Sequence, residues 1–160
     1  MIRGKRAFDV AGAAGGLVFF APVMLCATLA ILLDDGRPVF FRQTRLGRGR
    51  RPFSILKFRT MRDGRVTRVG AVLRATGLDE LPQFVNILRG ELSAVGPRPI
   101  TAEDAERFGW TGPSALPRWS VARGLTGLAQ LAGRSRPESL ALDRCYVRHP
   151  GLLLDSRIVA

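Results

Sequence analysis

From Ala11 to Leu33 the chain carries no charged side chain: AGAAGGLVFFAPVMLCATLAILL. As one helix this run is about 34 Å long, enough to cross a bilayer core. Asp34 and Asp35 stop it. It is long for the apolar stretch of a signal peptide, and no small-x-small site followed by a polar start closes it. Pro22 falls at its middle, where proline removes a helix hydrogen bond and bends the axis. Gly12, Gly15 and Gly16 permit close backbone contacts. Arg3, Lys5 and Arg6 precede the run; Arg37, Arg42, Arg45, Arg48, Arg50, Arg51, Lys57 and Arg59 follow it. Cations flanking both ends place both on the cytoplasmic side. The pattern predicts a bent, re-entrant helix that enters and leaves one leaflet. A single-span anchor is the alternative.

Past residue 35 the patterning changes to short segments. PVFF reads as a strand, QTRLGRGRRP as a glycine-rich basic turn and FSILKF as a second strand. Residues 65–76 put Val66, Val69 and Leu73 opposite Arg65, Arg68 and Arg74. That is a basic amphipathic helix, suited to anionic headgroups or simply to the surface of a basic protein. A helix is predicted from Leu81 to Leu88, with Pro82 in its first turn and Gly90 as its stop. Asp79 then falls near its N-cap and Glu80 just inside. Thr101 caps a helix over 101–108, 109–117 reads as a loop, and 135–148 includes a helix with Leu140, Leu142 and Tyr146. The expected class is α+β. A membrane helix hairpin fills 1–35, and a second domain with a small antiparallel β element and interfacial amphipathic helices fills 36–160.

Charge narrows the picture. The 160 residues hold 25 Lys plus Arg against 13 Asp plus Glu, a net charge of +12 that asks for an anionic partner. Nearly all the cations are Arg, whose planar fork suits phosphate. A nucleic-acid binder would use such charge, but aromatics are 8% with one Tyr, so no base-stacking set is present. Cys26 and Cys145 show no metal spacing and no reason to pair. His149, the one histidine, precedes a Pro-Gly turn and reads as a surface residue.

Four clusters could carry chemistry. Lys57 and Arg59 alternate on a strand, so one face could clamp a diphosphate. Asp79-Glu80 lies where a helix N-terminus lowers carboxylate pKa values. Such an Asp could attack phosphorus and such a Glu could hold Mg²⁺; two acids capping a helix is the plainer reading. Pro97 and Pro99 fix the backbone around Arg98, which suits a phosphate or uracil contact. The Gly124–Gln130 turn, ending at Gly133-Arg134, could bring backbone N–H groups to a ligand. It lacks the spacing of a P-loop or a dinucleotide fingerprint.

Taken in order, these motifs resemble the bacterial sugar transferases called monotopic phosphoglycosyl transferases. The likeness runs through Lys5-Arg6, Asp9, Pro22, Gly36-Arg37-Pro38-Val39-Phe40-Phe41, Gln43, Arg45 and Gly47. It continues through Lys57-Phe58-Arg59-Thr60-Met61, Leu73-Arg74, Leu78-Asp79-Glu80-Leu81-Pro82-Gln83, Asn86 and Gly90-Glu91-Leu92-Ser93. Val95-Gly96-Pro97-Arg98-Pro99, Leu125-Thr126-Gly127, Gln130, Gly133-Arg134, Asp143, Tyr146 and Asp155 complete it.

The resemblance implies transfer of a phosphosugar from a UDP-sugar to a polyprenyl phosphate, with release of UMP. By position Asp79 is the nucleophile of a covalent intermediate and Glu80 the ligand of a required Mg²⁺. Lys57, Arg59, Arg74, Pro97, Arg98, Pro99, Gln130 and Arg134 are the expected substrate-binding residues, and Pro22 is the membrane kink. The resemblance further implies the bacterial inner membrane, an active site facing the cytoplasm, contact with membrane lipids and no nucleic-acid partner. A homodimer and an inactive scaffold role stay open. Two positions depart from the family. Ala21 replaces a serine frequent before the proline, and Arg123 replaces a proline before the Gly-x-Thr-Gly turn.

Overall fold

A computed structural model describes residues 4–132, 139–149 and 151–159. Its first element, α1 (Lys5–Asp34), absorbs the whole apolar run and carries Pro22 inside it. The helix runs through Pro22 as one element. Asp9, Ala13, Ala27 and Ile31 are buried. Steps of four, and about five turns between Asp9 and Ala27, set them on one stripe. Phe20 on that side stacks on Phe84, 6.4 Å between ring centroids. Around the opposite side Val18, Phe19, Leu25, Leu29 and Leu33 are exposed, Val18 by 78% and Leu33 by 88%. A helix apolar all round needs apolar surroundings all round. Here the protein supplies only one side.

Both ends of α1 are tied to the same folded body. At the start, Lys5 pairs with Asp155 at 2.6 Å, and Arg6 donates to the carbonyls of Ile87 and Leu88. At the end, Asp35 forms an ion pair with Arg59 at 2.7 Å and accepts from Arg62 at 3.0 Å, and Asp34 accepts from the Val69 amide.

Next comes an antiparallel hairpin of β1 (Phe40–Leu46) and β2 (Pro52–Phe58), with Phe41 opposite Lys57. The first strand is longer than expected. Gln43, Thr44 and Arg45 were assigned to the turn, yet Phe41, Gln43 and Arg45 alternate and extend the ladder. A short hairpin of β3 (Met61–Arg62) and β4 (Arg65–Val66) turns at Asp63-Gly64. The amphipathic helix α2 (Arg68–Thr76) therefore starts later than position 65, at a Thr67 cap whose hydroxyl accepts from the Gly70 amide. Gly70 is required there: a Cβ would lie 2.2 Å from the Thr60 carbonyl oxygen.

Leu78–Glu80 is one 3-10 turn, and α3 (Gln83–Arg89) follows with Pro82 at its N-cap. The acids thus precede α3 by a turn instead of capping it. Gly90 ends α3 with φ +80°, a left-handed conformation open to glycine. β5 (Ser93–Val95) leads into the Gly96–Pro99 segment, and α4 (Ala102–Arg107) starts at the expected Thr101 cap.

The stretch read as a loop contributes core. Trp110, Ala115 and Trp119 pack with Ile100 and Ala105, around a 3-10 turn at Pro113–Ala115 and α5 (Leu116–Trp119). β6 (Gly124–Thr126) pairs parallel with β5, so the strands are not all antiparallel. Among the described residues three helices follow: α6 (Leu128–Leu131), α7 (Ser139–Arg148) and α8 (Leu152–Val159). The class is α+β, with the long helix laid along a small mixed domain.

Candidate active site

The β1–β2 hairpin, the end of β2 and the 3-10 turn enclose a cavity of about 360 Å³. Phe41, Gln43, Arg45, Lys57, Phe58, Thr60, Arg74, Asp79 and Glu80 line it. Each reaches it for a local reason. Strand alternation carries Gln43 and Arg45 to the same side as Phe41. Lys57 joins them from the opposite strand. The tight turn at Gly77–Glu80 holds Asp79 and Glu80 over the hairpin. Arg74, in the last turn of α2, is steadied by an Nε–H bond of 2.8 Å to the buried Thr60 hydroxyl.

Within the cavity Lys57 pairs with Glu80. Asp79 has no ion pair among the described residues. Burial is the main influence on its carboxyl and raises its pKa above the usual carboxylate value; Glu80 acts in the same direction, while Lys57 and Arg74 oppose it. This corrects the expectation that a helix N-terminus would lower it. The acid sits before α3, where desolvation outweighs the helix.

Sequence reasoning left Phe41, Gln43, Arg45, Phe58 and Thr60 out of the site, and Arg45 is the charged one among them. Its Nη2 donates to Gln43 Oε1 at 2.6 Å, its Nη1 lies 3.9 Å from Asp104, and its buried Nε has no partner among the described residues. Burial and then the nearby Arg98 lower its pKa; Asp104 and Glu80 resist. Arg98 thus lies close enough for its charge to act on Arg45, a residue of the cavity wall. The alternation of Phe41, Gln43 and Arg45 was the available signal, hidden by reading the stretch as a turn.

The other expected residues divide. Pro97 and Pro99 are buried, and the Arg98 carbonyl accepts from Arg118 at 3.0 Å. Gln130 follows Gly127, and its amide has no partner among the described residues. Arg134 lies outside the described residues. Arg59 is not brought to the cavity: it binds Asp35 and the carbonyls of Asp35, Gly36 and Arg37. β2 ends at Phe58, so the alternation linking Lys57 to Arg59 stops between them. Pro22 is in α1, away from these groups in sequence and in element.

Among the described residues no group of three or more His, Cys, Asp or Glu side chains converges on one point. Asp79 and Glu80 provide two carboxylates on one cavity wall. That donor set fits Mg²⁺, which keeps water and borrows substrate phosphate oxygens for its remaining positions.

The family model for bacterial sugar transferases matches residues 2–160. The chain belongs to the bacterial sugar transferase family. Among similar family members is a UDP-glucose:undecaprenyl-phosphate glucose-1-phosphate transferase of Caulobacter vibrioides. It is 45% identical over 97% of this chain and 66% of its own length. A protein of the same name from Escherichia coli is 38% identical, over 97% of this chain and 38% of its own length. The exopolysaccharide production protein PSS of Rhizobium leguminosarum is 36% identical over 97% of this chain and 90% of its own length. The chain thus spans under two thirds of the first two relatives.

Proposed function

We propose that this sugar transferase moves a phosphosugar from a UDP-sugar to a polyprenyl phosphate at the inner face of the bacterial cytoplasmic membrane, opening the assembly of an exopolysaccharide or other glycoconjugate. The observation that carries this is one cavity holding Asp79 and Glu80 among Lys57, Arg74 and Arg45. Relatives named for undecaprenyl-phosphate sugar-phosphate transfer support the substrate classes.

In this reading the diphosphate lies along Lys57, Arg74, Arg45 and Arg98, whose charges let an anionic nucleophile approach. Asp79 attacks the phosphorus that bears the sugar. The bond to the UMP oxygen breaks, UMP leaves, and Asp79 holds an acyl phosphosugar. The polyprenyl phosphate then attacks the same phosphorus and frees Asp79, giving a polyprenyl-diphosphate sugar. Two displacements let a soluble nucleotide and a lipid use one site in turn. Mg²⁺, held by Glu80, would supply charge neutralisation at the phosphates. Lys57 gives up part of its contact with Glu80 as the substrate enters. The exposed side of α1 sits in the leaflet, with Pro22 at the deepest point of a re-entrant path and both ends at the cytoplasmic surface.

The test is UMP release from a panel of UDP-sugars, with and without undecaprenyl phosphate. Wild type with UDP-sugar alone should release at most one equivalent of UMP and gain a phosphosugar adduct on Asp79 by mass spectrometry. Asp79→Asn should bind UDP-sugar and release nothing. Turnover by Asp79→Asn near the wild-type rate would mean direct attack by the lipid phosphate. No UMP release from any UDP-sugar would leave a scaffold or binding protein.

A further inference from the structure

The buried polar groups at the start of α1 have no place in that chemistry. They converge instead on one strand. Lys5 Nζ donates to the Val95 carbonyl at 3.1 Å and to Asp155 at 2.6 Å. Asp9, 4% exposed, accepts at 3.0 Å from both the Ala94 amide and the Ser93 hydroxyl. Ser93 Oγ also lies 3.0 Å from the Val95 carbonyl oxygen, an alternative acceptor for its one proton. The Tyr146 hydroxyl contacts the Val95 carbonyl at 3.1 Å and donates to the fully buried Asp155 at 2.8 Å.

These contacts hold β5 at the Ala94 amide, on the edge turned away from β6, and at the Val95 carbonyl and the Ser93 hydroxyl. Its other edge is paired with β6, where the Ser93 amide donates to Arg123 and the Gly96 amide to Thr126. A three-residue strand is too short to hold itself. Its direction is set by what grips each edge, and on one edge the grip comes from the first turns of the apolar helix. The next residues are Gly96, Pro97, Arg98 and Pro99. Two prolines transmit the strand's direction to Arg98 with few free torsions. Gly96 adds none of its own: a Cβ there would lie 2.5 Å from the Ala122 carbonyl oxygen.

We infer that Lys5 and Asp9, from the apolar helix, are positioning residues for Arg98 near the active site, acting through β5. The inference rests on the proposed transferase reading for what Arg98 does. The alignment itself stands on geometry. A displacement of about 1 Å at a charged contact can cost on the order of a hundredfold in rate, so a helix otherwise in lipid bears on how the nucleotide is held.

The test uses the full chain in nanodiscs with four variants: Lys5→Met, Lys5→Arg, Asp9→Ala and Arg98→Ala. Lys5→Met leaves Asp155 without its cation, and the chain is at risk of not folding. Asp9→Ala keeps that pair, orphans the Ala94 amide and leaves the Ser93 hydroxyl to the Val95 carbonyl. The first readout is amide exchange. Asp9→Ala should speed exchange at Gly96 and Arg98 and leave the amides of α2 unchanged. The second is a double-mutant cycle on KM for the UDP-sugar. Asp9→Ala and Lys5→Met should each raise KM about tenfold, by a shift of roughly an ångström or less, with a smaller change in kcat. Lys5→Arg should restore KM. In the Arg98→Ala background neither should raise KM further.

Unchanged exchange at Gly96 and Arg98 overturns the alignment. Additive effects with Arg98→Ala make Lys5 and Asp9 merely structural and overturn the inference. A wild type inactive with every UDP-sugar, yet with the exchange response intact, sinks the transferase reading and leaves the alignment supported.

Discussion

Asp79 works against its surroundings. Burial raises its pKa, so the folded, substrate-free state favours the protonated acid. A raised folded-state pKa contributes stability that is present below the unfolded value, near 4, and lost as pH rises through the folded value. At neutral pH an ionised Asp79 therefore costs stability. Asp79→Asn should raise the melting temperature at pH 7 while abolishing transfer, and the gain should shrink toward pH 4. A thermal melt at the two pH values checks it. The same shift predicts the rate profile: kcat/KM should fall on the acid side through a pKa above the ordinary carboxylate range. Arg123 is a second costly residue. Fully buried, it stacks 5.1 Å over Trp119 with Nε and Nη1 unpartnered among the described residues. Burial, with Arg118 next in effect, pushes its pKa down to about 9 against the pull of Asp143. Arg123→Met should stabilise the fold by about 1–4 kcal/mol, the range for replacing buried charge by well-packed apolar groups. A denaturant titration in detergent reads the change, and a loss of stability would show that the charge is compensated.

At the scale of elements, Arg59 shows how a site residue and a structural one exchange roles. Its guanidinium closes the end of α1 onto the start of the hairpin through Asp35 and three carbonyls. Arg59→Ala should lower stability by about 2 kcal/mol, the scale of hydrogen bonds from a charged donor, and leave KM for the UDP-sugar unchanged. A raised KM in a normally stable variant would return Arg59 to the substrate. The sequence placed Lys57, Arg74, Asp79 and Glu80 in the site because their motif is local: a strand end and one tight turn bring them together. It set Arg59 on one face with Lys57, but alternation holds only while the strand lasts; β2 stops at Phe58 and Arg59 turns to Asp35. It missed Arg45 because a glycine-rich basic stretch looked like turn up to its first glycine. The unbroken apolar run carried the long helix, and residue type at the helix ends carried the Thr101 cap and the Gly90 stop. Periodicity could not show the β5–β6 pair, since parallel pairing of three-residue strands leaves no local pattern. Nor could it show that 109–117 holds core, since two tryptophans nine residues apart have no repeat to reveal them.

At the scale of the whole molecule, the question is how one apolar helix meets both a membrane and a catalytic domain. A spanning helix separates its ends by the thickness of the hydrocarbon, about 30 Å, so a domain on one side can grip only one of them. Here the same body grips both: Lys5 and Arg6 through Asp155, Ile87 and Leu88, and Asp34 and Asp35 through Val69, Arg59 and Arg62. The cations before and after the run agree with that arrangement, since both flanks ask for the cytoplasmic side. The exposed apolar arc from Val18 to Leu33 still demands lipid. A helix seated in one leaflet and leaving by the face it entered meets all three conditions. Cys26 and Cys145 are exposed and would report on their own, so both are first replaced by Ser. Single cysteines at Arg3 and Arg48 should then resist an impermeant thiol reagent in intact cells and react once the membrane is opened. Labelling of Arg3→Cys alone in intact cells would put the two ends on opposite sides. The grip on Lys5 and Arg6 would then have to break in the membrane, and the re-entrant path would be lost with it.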